Sequence, residues 1–132
     1  MNLRLLYSNK YYALAFLWAA FILFATLASG HALRHFNILD IFAYDKPIHA
    51  TLFGAQAWFL IKGRIRSPYN NYMNIVLYAC IFSTLYGVLT EILQGVFVMQ
   101  GRSFDVMDML GDAVGCAIVY IWFRWRRKQF AQ

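Results

Sequence analysis

Residues 72–98 read YMNIVLYACIFSTLYGVLTEILQGVFV, an apolar run broken by one charged side chain, Glu91. A hydrocarbon core of about 30 Å takes about 20 such residues at about 1.5 Å per residue. A helix is the form in which so long a run satisfies its own backbone N–H and C=O groups away from water. Three further runs share this character: ALAFLWAAFILFATLAS (13–29), PIHATLFGAQAWFLI (47–61) and a stretch from 105 to 123. The pattern predicts an all-α membrane protein, a bundle of four transmembrane helices over approximately 12–29, 47–61, 72–97 and 105–123. The second run has only 15 residues. Spanning there needs tilt, snorkelling of Lys46 and Lys62, or a local adjustment of the bilayer. The TLA near the end of the first run faintly resembles a signal-peptidase site. That run is long for a signal core and more spans follow, so it is read as an uncleaved span.

Composition agrees with this reading. The 132 residues are 61% hydrophobic and 14% charged, whereas a soluble domain carries about 25% charged residues. The length suits one domain, 1–132. The net charge of +6 does not point to nucleic acid, because the basic residues sit in short clusters beside apolar runs and form no stripe on a soluble fold. Cys80 and Cys116 both fall inside apolar runs and read as small buried hydrophobes. Their spacing supports neither a disulfide nor a CxxC-type metal site.

Lysine and arginine set the orientation. With four spans, the N-terminus, the 62–71 loop and the C-terminal tail share one side and hold nine basic residues: Arg4, Lys10, Lys62, Arg64, Arg66, Arg124, Arg126, Arg127 and Lys128. The other side holds three, Arg34, Lys46 and Arg102. The excess puts both termini in the cytoplasm. Every acidic residue then lies toward the outer face: Asp40, Asp45, Glu91, Asp105, Asp108 and Asp112. The segment GHALRHFNILDIFAYDK (30–46) is too apolar for a solvated loop and is expected to lie along the outer interface.

At 100° per residue, Asp105, Asp108 and Asp112 share one face of the fourth helix, bordered by Gly111 and Gly115, a small-residue pair that lets another helix approach. Val106, Leu110, Ala113 and Ala117 face lipid on the opposite side. Cys80, Thr84, Gly87, Glu91 and Gln94 form one stripe on the third helix. Asp45, His49 and Gln56 form another on the second, with Lys46 near its edge. Three helices thus aim polar stripes at a common, outward-opening interior. Asp108 lies about 4–5 Å below Asp105, and Asp112 about 10 Å below.

Each residue also has a plainer reading. Asp45 and Asp105 stand at helix N-termini, where a carboxylate caps free N–H groups, so capping and chemistry both stay open for them. Pro47 suits a helix start. Arg102 serves equally as an interfacial anchor, His49 alone as an interior histidine, and Gln56 and Gln94 as interhelical hydrogen-bond partners. Glu91, Asp108 and Asp112 lie too deep for capping. They read as a functional polar site, with internal salt bridges to Lys46 and Arg102 as the structural alternative.

The motifs DKPIH (45–49), YGVLTEILQ (86–94) and GRSFDVMDMLGDAVG (101–115), taken in order, resemble the VanZ-like family of small bacterial membrane proteins. The family pattern has Asp-Lys-x-x-His opening one span and Gly-x-x-x-Glu-x-x-Gln on another. An Arg then precedes a last span with Asp-x-x-x-Asn-x-x-Gly. These positions are Asp45, Lys46, His49, Gly87, Glu91, Gln94, Arg102, Asp108 and Gly115 here, with Asp112 in place of the Asn. The likeness covers about 70 residues. It implies a role at the bacterial cell envelope, in the cytoplasmic (inner) membrane. The family's namesake is associated with resistance to teicoplanin, which makes glycopeptide resistance one setting for such a chain.

The leading expectation is an outward-facing polar pocket that binds a lipid-linked envelope molecule through Asp45, Lys46, His49, Glu91, Gln94, Arg102, Asp105 and Asp108. Lys46 and Arg102 would hold an anionic head group. The same pocket could instead be enzymatic, with His49, Glu91, Asp108 and Asp112 as acid–base groups or as ligands of a divalent metal. A proton- or cation-coupled small transporter, working as a homo-oligomer, is a third reading, and a purely structural membrane partner a fourth. The lipid bilayer is a partner in all of them, and nucleic acid in none.

Overall fold

The computed structural model describes residues 3–27, 45–64, 72–97 and 106–130. They form four α-helices: α1 (Leu3–Leu27), α2 (Asp45–Arg64), α3 (Tyr72–Phe97) and α4 (Val106–Phe130). The described residues contain no strand. Three helices are long and apolar enough to cross a membrane, over Asn9–Thr26, Tyr72–Val96 and Val106–Arg127, which is compatible with a multi-pass membrane protein. The expected interfacial segment 30–46 lies almost wholly outside the described residues, as do Arg102 and Asp105. Helix α1 begins nine residues before the expected start at 12, and α4 runs on past 123 through the basic cluster.

The helices alternate in direction. Near the basic end Gly63 meets the Tyr12 ring, and the Tyr72 and Phe123 rings are 6.2 Å apart. At the other end Gln94 of α3 hydrogen-bonds the Thr26 carbonyl of α1, and His49 of α2 reaches Asp112 of α4. Lys10, Lys62, Arg64, Arg124, Arg126 and Arg127 therefore gather at one end of the bundle, and the buried acids at the other.

Helix α2 packs against all three of its neighbours, most extensively against α4. Among its described side chains only Lys46, Pro47, Thr51 and Arg64 are exposed. This explains why α2 falls short of a membrane span by composition. A helix sheathed in other helices need not be apolar all round, whereas one that faces lipid must be. The outward faces of the other three are accordingly greasy: Phe16, Leu17 and Phe24 on α1, Tyr78, Phe82 and Leu85 on α3, Leu110, Ile118 and Ile121 on α4. Val106 and Ala117 are also exposed and Ala113 is half-buried, as the periodicity of α4 requires.

The crossing of α2 and α4 depends on Gly115. A Cβ there would collide with the Ala50 carbonyl of α2, so only hydrogen fits between the two backbones. Away from the acids the core is aromatic and aliphatic: Ile61, Val76 and Phe123 are buried, with Trp58 and Phe123 rings 4.9 Å apart. Between the two ends, side chains tie helices together through backbone carbonyls. Trp18 Nε1 donates to Leu52 O at 2.9 Å, Tyr86 Oη to Ala19 O at 2.7 Å and Ser83 Oγ to Phe53 O at 2.7 Å. Both thiols are free and buried, and Cys80 Sγ donates to Cys116 O at 3.3 Å.

Candidate functional site

The site forms where α2 and α4 begin and α3 ends. His49 lies in the second turn of α2, Asp108 in the first turn of α4 with Asp112 one turn further, and Glu91 near the end of α3. All four are buried, Glu91 and Asp112 completely. His49 Nδ1 is 2.9 Å from Asp112 Oδ1 and 4.0 Å from Glu91 Oε1. His49, Glu91 and Asp108 each place one ligand-type atom within 4.8 Å of the other two. Three helices therefore converge four ionisable side chains on one point.

Local sequence explains the convergence. Asp108 and Asp112 are four apart, one turn of α4, and so face the same way. Glu91 stands four residues after Gly87 on α3. A Cβ on Gly87 would run into the Asp112 carboxylate, so that glycine is the space into which Asp112 fits. The His49 ring stacks on Phe53, one turn deeper in α2, with centroids 6.0 Å apart and planes at 30°. Phe53 is wholly buried and closes the inner side of the site. The N-termini of α2 and α4 turn the positive ends of their dipoles toward this end of the bundle. That favours negative charge by about 0.3–1 kcal/mol each, more where burial is partial.

The remaining predicted residues divide. Gln94 is buried, and its amide nitrogen donates to Thr26 O at 2.8 Å, an interhelical hydrogen bond. Gln56 is buried deeper in α2, and its Oε1 accepts no hydrogen bond among the described residues. Lys46 is exposed, which places its side chain at the rim and not inside the cluster as a counter-ion. Asp45 opens α2, but its side chain is outside the described residues, as are Arg102 and Asp105 altogether.

Two contributors escaped the sequence reading: Phe53 stacks on the imidazole, and Thr90 is fully buried beside Glu91 and bonds Gly87 O at 2.8 Å. Spacing places Gly87 on the polar stripe of α3, but not its part in seating Asp112. Thr90 follows Gly87 by three residues, so helical spacing could have found it. Nothing in the sequence pairs Gly87 with Asp112.

An ionised carboxylate only accepts hydrogen bonds. With Asp112 ionised and the imidazole neutral, His49 Nδ1 would carry the proton and Nε2 the lone pair. Such a histidine can take a proton from a ligand or bind a metal ion, and the carboxylate behind it holds the ring in place. Fold and site together define an all-helical, membrane-type chain with a buried carboxylate–imidazole cluster at one end. Comparison of the chain with family models, with curated proteins and with solved structures gives no match.

Proposed function

We propose that the chain is a VanZ-like protein of the bacterial cytoplasmic membrane. All four helices cross the bilayer, both termini are cytoplasmic, and the cluster opens outward to bind the head group of a lipid-linked envelope molecule. The observation that carries this reading is the convergence of His49, Glu91, Asp108 and Asp112 from three helices at the end opposite the basic residues. The positive-inside rule makes the basic end cytoplasmic and the acidic end outer. The short α2 can cross because its neighbours, and not lipid, cover most of it. Lys46 at the rim and Arg102 supply the positive charge for an anionic head group, while the buried groups meet its polar part.

Binding of anionic envelope lipids to the detergent-purified chain tests this. Lys46→Ala and Arg102→Ala should each weaken it several-fold, with the fold intact. If both variants bind as the parent does, the head-group reading is wrong.

The Asp112–His49 hydrogen bond specifically favours a second reading, an enzyme acting on the same class of molecule. A carboxylate that orients an imidazole is the arrangement a general base needs. Turnover of a lipid-linked substrate that disappears in His49→Ala, with binding retained, would select it.

A further inference from the structure

We infer that the buried cluster is a binding site for one divalent first-row transition-metal ion, ligated by His49, Glu91 and Asp108 and steadied by Asp112. This deepens the outward-pocket reading and rests on it only for the location of the site.

Donor chemistry points to this class of ion. One imidazole and two carboxylates are mixed nitrogen and oxygen donors, suited to zinc, manganese or ferrous iron. Calcium and magnesium prefer oxygen alone. Their arrangement agrees. The ligand atoms come from three different helices and lie within 4.8 Å of one another. Donors on a single ion, at bonds of about 2.0–2.2 Å, lie about 3–4 Å apart. The imidazole nitrogen 4.0 Å from Glu91 Oε1 is Nδ1, so bringing Nε2 onto one ion with the two carboxylates takes rotation of side chains that the three helices already hold close together. All three ligands are nearly or wholly buried, at 5% for His49, 0% for Glu91 and 7% for Asp108. An ion there would compete with little bulk water.

Asp112 has the outer role. Its Oδ1 sits 2.9 Å from His49 Nδ1, which leaves the other ring nitrogen as the metal donor. A carboxylate in this position fixes the tautomer and raises the basicity of a metal-bound histidine. Gly87 belongs to the same design, since any side chain there would push Asp112 off the imidazole. Three protein ligands leave coordination positions for water or for a phosphate oxygen, which links the ion to the anionic ligand proposed above.

The test uses the full chain in detergent, stripped with chelator, dialysed against Zn2+ or Mn2+ and assayed by elemental analysis. One ion per chain is expected, and its binding should release protons. His49→Ala and Glu91→Gln should abolish stoichiometric uptake, and Asp112→Asn should weaken it by about 10–100-fold. A spectroscopic readout covers any variant that folds poorly: electron-spin-echo spectra of Mn2+ on the parent should show nitrogen coupling, and this should vanish in His49→Ala. Sub-stoichiometric metal on the parent, no nitrogen coupling, or equal uptake by Glu91→Gln would each overturn the inference. Metal uptake unchanged in Lys46→Ala, alongside unaltered lipid binding, would sink the head-group reading and leave the metal site standing.

Discussion

The interface of α2 with α3 and α4 is built in two ways along its length. At the basic end, rings and branched chains interlock: Trp58, Ile61, Val76 and Phe123 fill the space and no buried charge is present among the described residues. At the acidic end, the same helices enclose His49, Glu91, Asp108 and Asp112, and the approach is set by glycines instead of large side chains. One end thus resembles the packing of any helical bundle. The other accepts the cost of burying several ionisable groups, a few kcal/mol for each charge in a membrane setting. Stability gives no reason for that cost, because an apolar replacement of similar volume usually holds a fold as well or better. The comparison separates what holds the helices together from what they are held together for.

Substitutions can break the comparison at either end. The largest effect is expected from Gly115→Val, whose side chain would enter the α2 backbone. More than about 4 kcal/mol should be lost, read as absence of folded chain in detergent. Phe123→Ala should follow, at about 3–5 kcal/mol, through the cavity it leaves against Trp58 and Tyr72. At the acidic end the balance reverses. Glu91→Gln keeps the volume and leaves Asp112 as the carboxylate against His49, so the imidazole does not lose its last partner. Detergent unfolding should shift by about 1 kcal/mol, while metal and ligand binding disappear. Should Glu91→Gln destabilise the chain as much as Phe123→Ala does, the cluster serves the fold and the distinction between the two ends fails. Gly87→Ala should lie between, costing about 1–3 kcal/mol as Asp112 gives way, with loss of the His49 contact.

Much of this division was legible in the sequence. Helical spacing placed Cys80, Gly87, Glu91 and Gln94 on one buried stripe of α3, and Asp108 and Asp112 on one buried face of α4, because a helix in lipid has to hide its polar side. The small-residue pair Gly111 and Gly115 announced a close neighbour, and that neighbour is α2. Apolarity served least well for α2 itself. It is the helix most enclosed by the others and is not among the three that are long and apolar enough to cross a membrane. Pairings between helices were also hidden. That Gln94 bonds α1 through Thr26 O, or that Phe53 stacks on His49, depends on how the helices are rotated and crossed. No spacing within one helix records that. The reach of Arg102 and Asp105, on the approach to α4, falls outside the described residues.

The smallest effect probes the layer where the two ends meet. Ser83 is completely buried and donates to Phe53 O at 2.7 Å, tying α3 to α2 at the residue that also stacks on His49. Hydrogen bonds between membrane helices average about 0.6 kcal/mol and reach about 1.7 at most. Ser83→Ala should therefore lower the unfolding free energy by about 0.6 kcal/mol. Ser83 and Glu91 lie eight residues apart on α3, about 12 Å along its axis. Pairing Ser83→Ala with Glu91→Gln should thus give the sum of the single effects to within about 0.5 kcal/mol. A coupling well above that would mean the Phe53 backbone transmits strain from the interlocked layer into the cluster. The aromatic packing below would then help set the geometry of the ligands above it, and the two ends would have to be treated as one unit.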